Sequence, residues 1–334
     1  MEFFHHPKKL YGTALGLFLL LTYYVAIRPA LENQNNNHPL PNAITLSEEA
    51  MEGKKIFIAN GCVACHTQQV RNVEMDQVWG ARPGIPADYA SISRTNLWTN
   101  TATLMGTERT GPDLTDVGTR QPSLEWNLLH LYQPRAVVKA SIMPAYPWLF
   151  EEKDQLEAGD KEIRIPSAYA PKNGKHVVAS KKALQLVAYL QSLKQTPLPG
   201  SMAPEPFLYP QDKEPEVSAN QEKLPDGISL YAKNCAACHQ SNGEGLPGAF
   251  PPLKGSPIVL GEDLDLFVSI IMLGYDAREE FAVMSAVGTN NKLQPEEVTA
   301  IINHERNSWG NNAKPVSKEE VKKIMDYIAQ SSKP

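Results

Sequence analysis

The chain is 334 residues long with a net charge of −5 and 21% charged residues, which leaves room for about two folded domains at roughly 100 to 200 residues each. That charge balance is ordinary for a soluble surface and argues against a nucleic-acid partner, which calls for a basic patch. All 4 cysteines fall in two runs of one spacing, so no thiol is left for a disulfide, a four-cysteine zinc site or an iron–sulfur cluster.

In chain order, the first feature is the uncharged stretch Leu10 to Ile27. As a helix it spans about 27 Å at 1.5 Å per residue, enough for a bilayer's hydrocarbon core, and it reads as a single transmembrane anchor. Lys8 and Lys9 precede it, and Tyr11, Tyr23 and Tyr24 sit near its ends. The positive-inside rule then puts residues 1–9 in the cytoplasm and everything after Arg28 outside. The rival is a cleavable signal peptide, but the stretch is longer than an h-region and Ile27-Arg28-Pro29 offers no small-x-small site. The expectation is an uncleaved single-pass anchor (residues 10–27) in a bacterial inner membrane, with everything after Arg28 periplasmic. Residues 28–44, polar and asparagine-rich, read as a short tether.

A first domain occupies residues 45–196. Thr45 or Ser47 can cap a helix whose first turn holds Glu48 and Glu49 and which runs through Met51, Ile56 and Phe57. It leads into Cys62-Val63-Ala64-Cys65-His66, the C-x-x-C-H attachment run of c-type haem: two thiols a helical turn apart bond the porphyrin, and the next histidine reaches the iron. A thioredoxin-like redox pair or a zinc knuckle would also use two close cysteines, but neither requires that histidine, and here it occurs twice. Lys181 to Leu193, with Leu184, Leu186, Val187, Leu190 and Leu193 on one face, reads as the matching closing helix.

Residues 197–225 read as a linker, proline-rich from Pro197 to Pro215 and extended enough to let a second domain reach outward. That second domain, 226–334, opens with a helix Asp226 to Asn234 leading into Cys235-Ala236-Ala237-Cys238-His239. Gln294 to Arg306 is its closing helix, with Pro295 in the first turn, and a capping box at Ser317 and Glu320 starts a last short helix.

The two domains align as a divergent repeat. Gly53 and Phe57 correspond to Gly227 and Tyr231, the glycine letting another helix cross closely. Gly111-Pro112-Asp113-Leu114 corresponds to Pro251-Pro252-Leu253, a loop whose carbonyl suits the N–H of an axial histidine. Met143 lies 31 positions past Pro112 and Met284 lies 33 past Pro251, which selects these two as sixth ligands opposite His66 and His239. Thioether ligation raises the reduction potential, and a six-coordinate iron transfers electrons instead of binding oxygen. Met272 reads as core, Met75 and Met105 fall in the insert before Pro112, and Met105 is the reserve candidate.

With these residues in hand, the first domain resembles the membrane-anchored mono-haem subunit, subunit II, of cbb-type cytochrome c oxidases. GCVACHTQQVR, RTGPDL with VGTR, HLYQPRAVV and SIMPAYPWLF occur in that order after a single anchor. The resemblance places the axial methionine at Met143, within its M-P-A-Y segment. It also implies that Arg71, His130, Arg135 and Trp148 touch the haem propionates or a catalytic subunit, with plain packing as the alternative for each. The family's subunit stops after one haem, whereas this chain adds a domain similar to an ordinary class I cytochrome c. There Ser285 follows the candidate ligand where proline is usual, and His304 stands where an aromatic is usual.

The expected fold is mainly α: one transmembrane helix and two class I cytochrome c-like domains. The expected cofactors are two covalently bound c-type haems, attached at Cys62, Cys65, Cys235 and Cys238 and ligated by His66, Met143, His239 and Met284. The expected role is that of a dihaem electron-transfer subunit of a membrane respiratory oxidase, with no catalytic site of its own. Its partners would be a haem–copper catalytic subunit and a donor cytochrome or reductase. A cytochrome subunit of a nitric oxide reductase is the main alternative, and a dihaem peroxidase, which needs an open iron position, is a third.

Overall fold

The computed structural model describes residues 5–36, 38–90, 104–106, 108–200, 202–208, 224–278 and 280–331. The fold is mainly α, with a single two-stranded sheet among the described residues. Most of the expected linker, residues 209–223, lies outside them.

The N-terminal helix is apolar and long enough, over Pro7–Glu32, to cross a membrane. It does not stop at Ile27 as expected. Thr22–Ile27 is π-helical and Arg28–Asn36 continues as α-helix, so the first half of the expected tether is helical. Pro29 has no N–H to donate, and the ladder shifts register around it: the Arg28 N–H bonds the Tyr23 carbonyl five residues back. An Arg28–Glu32 pair then supports the extension by a few tenths of a kcal/mol, about 0.3 for an exposed i,i+4 pair.

In the first unit the helix Glu48–Ala59, capped by Ser47, crosses the helix Lys181–Ser192, capped by Ser180. They meet at Gly53, where a Cβ atom would lie 1.9 Å from the Gln185 carbonyl oxygen. The close crossing buries Phe57, Leu186, Val187 and Tyr189, and full burial contributes about 1.5–3 kcal/mol for a side chain such as Phe57 or Leu186. Gly53→Ala should therefore cost about 3 kcal/mol, the upper end for overpacking, because the colliding atom is backbone and cannot rotate away. An unchanged urea midpoint for that variant would disprove the crossing. The helix Leu124–Tyr132 adds Leu128 and Leu131 to this core. A hairpin pairing Phe150–Lys153 with His176–Ala179 closes one side. Four-residue strands were too short for alternation to show in the sequence.

The second unit repeats the crossing. Gly227–Asn234, capped by Asp226, packs on Pro295–Asn307, and a Cβ at Gly227 would lie 2.4 Å from the Ala300 carbonyl oxygen. A capping box between Gln294 and Glu297 starts the closing helix. The helices Leu264–Leu273 and Lys318–Ser331 complete a core of Phe267, Val268, Ile271, Ile301, Ile302 and Val321. Met272 packs against this core, as its helical setting implied.

The two units are in contact. Leu129, Ala136 and Val137 of the first form one buried cluster with Ala249 and Phe250 of the second, and Trp126 packs beside them. Removing these apolar surfaces from water holds the second unit against the helix Leu124–Tyr132.

Candidate haem sites

Each C-x-x-C-H run comes directly after the end of an opening helix. In the first unit Gly61, at φ +68°, takes the left-handed conformation that ends the helix and turns the chain into the short 3-10 segment Cys62–Ala64. In the second the helix Ala236–His239 carries the run directly, and Gln240 after it sits at φ +61°, ψ 158°. A non-glycine residue there is strained, and the Tyr231 hydroxyl, which donates to the Gln240 carbonyl at 2.7 Å, helps to hold it. Burial pushes the Cys62 thiol up to about 11 and Cys238 up to about 12, and Cys235 is raised well above its ordinary value by the same cause. These are protonated thiols in apolar surroundings, unlike the electropositive settings of reactive thiolates.

Both histidines are fastened alike. His66 Nδ1 lies 2.8 Å from the Pro112 carbonyl oxygen and His239 Nδ1 lies 2.9 Å from that of Pro251. A carbonyl can only accept, so Nδ1 carries the proton and Nε2 is left with its lone pair, the tautomer a ligating histidine needs. Gly111 closes over the first ring, since a Cβ there would meet His66 Cε1 at 2.4 Å.

His66 and Met143 line one cavity of about 1220 Å³ together with Cys62, Cys65, Leu114, Tyr146 and Leu186. His239 and Met284 line a second with Cys235, Cys238, Phe267, Ile271 and Ile301. Met284 is held by paired backbone bonds with Tyr275, at 2.9 and 3.0 Å. Of the competing methionines, Met75 lines the mouth of the first cavity and is 72% exposed, whereas Met105 and Met272 line neither.

Of the residues the resemblance singled out, Arg71 is bound to buried Asp76, and Trp148 is exposed with its indole N–H on Asn60. Arg135 is exposed, its carbonyl accepting from the Tyr169 hydroxyl. Only His130 lines the first cavity. Its Nδ1 is buried without a hydrogen-bond partner, and burial, then the neighbouring His66, lowers its pKa to about 4, so the ring is neutral.

Sequence reasoning missed several residues. Arg120 lines the first cavity with its Nε buried and unpartnered. Its guanidinium stacks over Trp79, with 5.1 Å from Cζ to the ring centroid. Glu305 lines the second cavity, and burial pushes its carboxyl up to about 8. Asp76 is fully buried between Arg71 and Arg109. None carried a signal beyond its type, except that Trp126 and His130, four apart in a helix, could have been read as one face.

The residues present fit a haem in each cavity. Paired thiols stand beside a histidine with a free Nε2 and a thioether within an apolar lining. In the first cavity two buried polar atoms, Arg120 Nε and His130 Nδ1, are without partners, and porphyrin carboxylates would accept from Arg120 and from the Nδ1–H tautomer of His130.

Two crossed-helix units, each with an attachment run and a proline-held histidine at a cavity, define a c-type cytochrome, and the chain belongs to that family. Residues 10–170 match the family described as cytochrome c oxidase, mono-heme subunit/FixO, and residues 225–332 match the family described as cytochrome c. The chain thus pairs a segment that matches the oxidase mono-haem subunit family with a further segment that matches cytochrome c, the fused arrangement its motifs suggested. It is 37% identical over 110 residues to cytochrome c-552 of Thermus thermophilus, a match covering 30% of this chain and 83% of that protein. It is 34% identical over 102 residues to the cytochrome c subunit of the quinone alcohol dehydrogenase of Gluconobacter oxydans, covering 29% of this chain and 21% of that protein. A third relative, the fructose dehydrogenase cytochrome subunit of Gluconobacter japonicus, is 31% identical over 108 residues, covering 30% and 22%. These matches make the chain an electron-transfer cytochrome carrying covalently bound c-type haem.

Proposed function

We propose that this chain is the dihaem electron-transfer subunit of a membrane respiratory oxidase of the cbb type. It passes electrons from a reductase or soluble cytochrome to a haem–copper catalytic subunit that reduces oxygen. The observation that carries the reading is the match of residues 10–170, anchor helix included, to an oxidase mono-haem subunit. When bound, each haem iron supplies a one-electron redox couple. The chain attaches the haems through Cys62, Cys65, Cys235 and Cys238, ligates the irons through His66 and Met143 and through His239 and Met284, and lines both sites with apolar side chains. The first unit, residues 45–196, sits against the catalytic subunit, and the second, 226–334, faces the donor.

A second reading, as the cytochrome subunit of a quinone-dependent dehydrogenase, is favoured by the alcohol dehydrogenase relative, although this chain spans only 21% of it. Copurification in mild detergent separates the two, with a haem count of two per chain expected in either case. A partner holding copper beside a high-spin haem supports the oxidase. Non-haem iron there would instead point to a nitric oxide reductase, and a flavin or quinone dehydrogenase would replace the oxidase reading.

The anchor should leave both haem units on the periplasmic side, since Lys8 and Lys9 lie before it. Protease added to intact spheroplasts is expected to degrade both units. Protection of both units would reverse the topology.

A further inference from the structure

The helix Leu124–Tyr132 runs between the two cavities. Ser123, which caps it, lines the second cavity, while Trp126 and His130 line the first. The two rings are stacked, with centroids 4.6 Å apart and planes 13° from parallel. Trp126 reaches across the seam, its Nε1–H donating at 2.9 Å to the carbonyl of Ala237, which lies between the two attachment cysteines of the second unit. On the other side, His130 presents a buried, unpartnered Nδ1 at the first cavity. Ala232, Lys233 and Ala237 of the second unit also line the first cavity, so the attachment loop of one site forms part of the wall of the other.

We propose that the Trp126–His130 stack is the electron link between the two haems, bonded to the second attachment loop through Trp126 and to a carboxylate of the first haem through His130. Electron tunnelling weakens exponentially across gaps and is attenuated less through bonds, hydrogen bonds and contiguous rings. This path has all three and crosses the interface at one hydrogen bond. One electron moves: the second iron goes from ferrous to ferric as the first goes from ferric to ferrous, with no bond made or broken. A reduced cytochrome or quinol-oxidising enzyme replenishes the second haem and the oxidase drains the first. Trp126 and His130 are bridging residues, not catalytic ones.

The inference rests on the two-haem reading, and a haem count of one per chain in the unaltered protein would defeat that reading before any rate is measured. The test uses the full chain in detergent, with the second haem reduced by a photochemical donor and transfer to the first followed by absorbance. Trp126→Leu removes both the ring and the donor and should slow the interhaem step severalfold, with the midpoint potential of the second haem kept. Trp126→Phe keeps a ring to fill the seam but loses the N–H, and should fall between Leu and wild type. Val137→Ala trims the apolar seam while keeping both rings and the Trp126 N–H, and should leave the rate unchanged. A wild-type rate in either Trp126 variant overturns the proposal, as does an equal slowing by Val137→Ala, which would assign the rate to domain packing. If the leucine variant does not fold, the phenylalanine variant decides the matter alone.

Discussion

Replacing Met143 or Met284 by leucine is expected to abolish the thioether-to-iron absorption band of that haem in the ferric state and to lower its potential. The thioether is the soft ligand that favours ferrous iron, and leucine fills a similar volume without a donor atom. Each methionine lines the same cavity as its unit's histidine, and no other methionine lines the second cavity among the described residues. The loss should be complete and confined to one haem, because each variant leaves the other cavity's ligands in place. A band that survived Met143→Leu would send the assignment to Met75 at the cavity mouth. A band that survived Met284→Leu would send it to Met272, which is packed in the second core.

Asp76→Asn is expected to destabilise the first unit by about 3 kcal/mol, the lower end for breaking a buried ion pair. The lower end applies because Arg71 is 49% exposed and so partly screened. Asp76 is fully buried and accepts hydrogen bonds from both Arg71 and Arg109. Arg109 in turn donates to Thr67 Oγ1 and to the Gln69 carbonyl, while Asp113 accepts from Thr67 and the Gln69 N–H. This network ties the chain leaving His66 to the loop whose Pro112 carbonyl orients it. Burial alone would raise the Asp76 carboxyl, but the two guanidinium groups outweigh it and hold it down at about 2. The folded value is thus below the unfolded one. The stabilisation is fully present above about pH 4 and disappears as pH falls toward 2. Urea unfolding should show wild type and Asp76→Asn far apart at neutral pH and converging in acid. A difference that stayed constant with pH would show that the carboxylate's charge is not what the site uses.

The elements legible in the sequence were those set by local chemistry. Cys62, Cys65, Cys235, Cys238 and the histidines after them are contiguous, so their spacing alone carries the attachment chemistry. The crossing glycines, Gly53 and Gly227, were legible because only the absence of a Cβ allows backbones that close, and the repeat showed the same residue twice. The proline loops were legible for the same reason, and both carbonyls meet their histidines. The Met143 and Met284 pairing was selected by spacing, and the fold brings each to its histidine's cavity.

Other features depend on residues far apart in sequence. The resemblance implied that Arg71 touches the haem propionates or a catalytic subunit, with plain packing as the alternative, and the fold pairs its guanidinium with Asp76. The unpartnered Arg120 Nε, 49 positions later, was not distinguishable from any surface arginine. The polar tether continued as helix because hydrogen bonds propagate from a formed helix more readily than composition suggests. The position of the second unit was likewise undetermined by the chain itself. A proline-rich linker sets only a maximum reach, whereas the seam of Leu129, Val137 and Phe250 and the bond from Trp126 to Ala237 join residues more than 100 positions apart. Burial of apolar area and satisfaction of a donor are properties of facing surfaces, so only the tertiary structure decides that the two cavities share a wall.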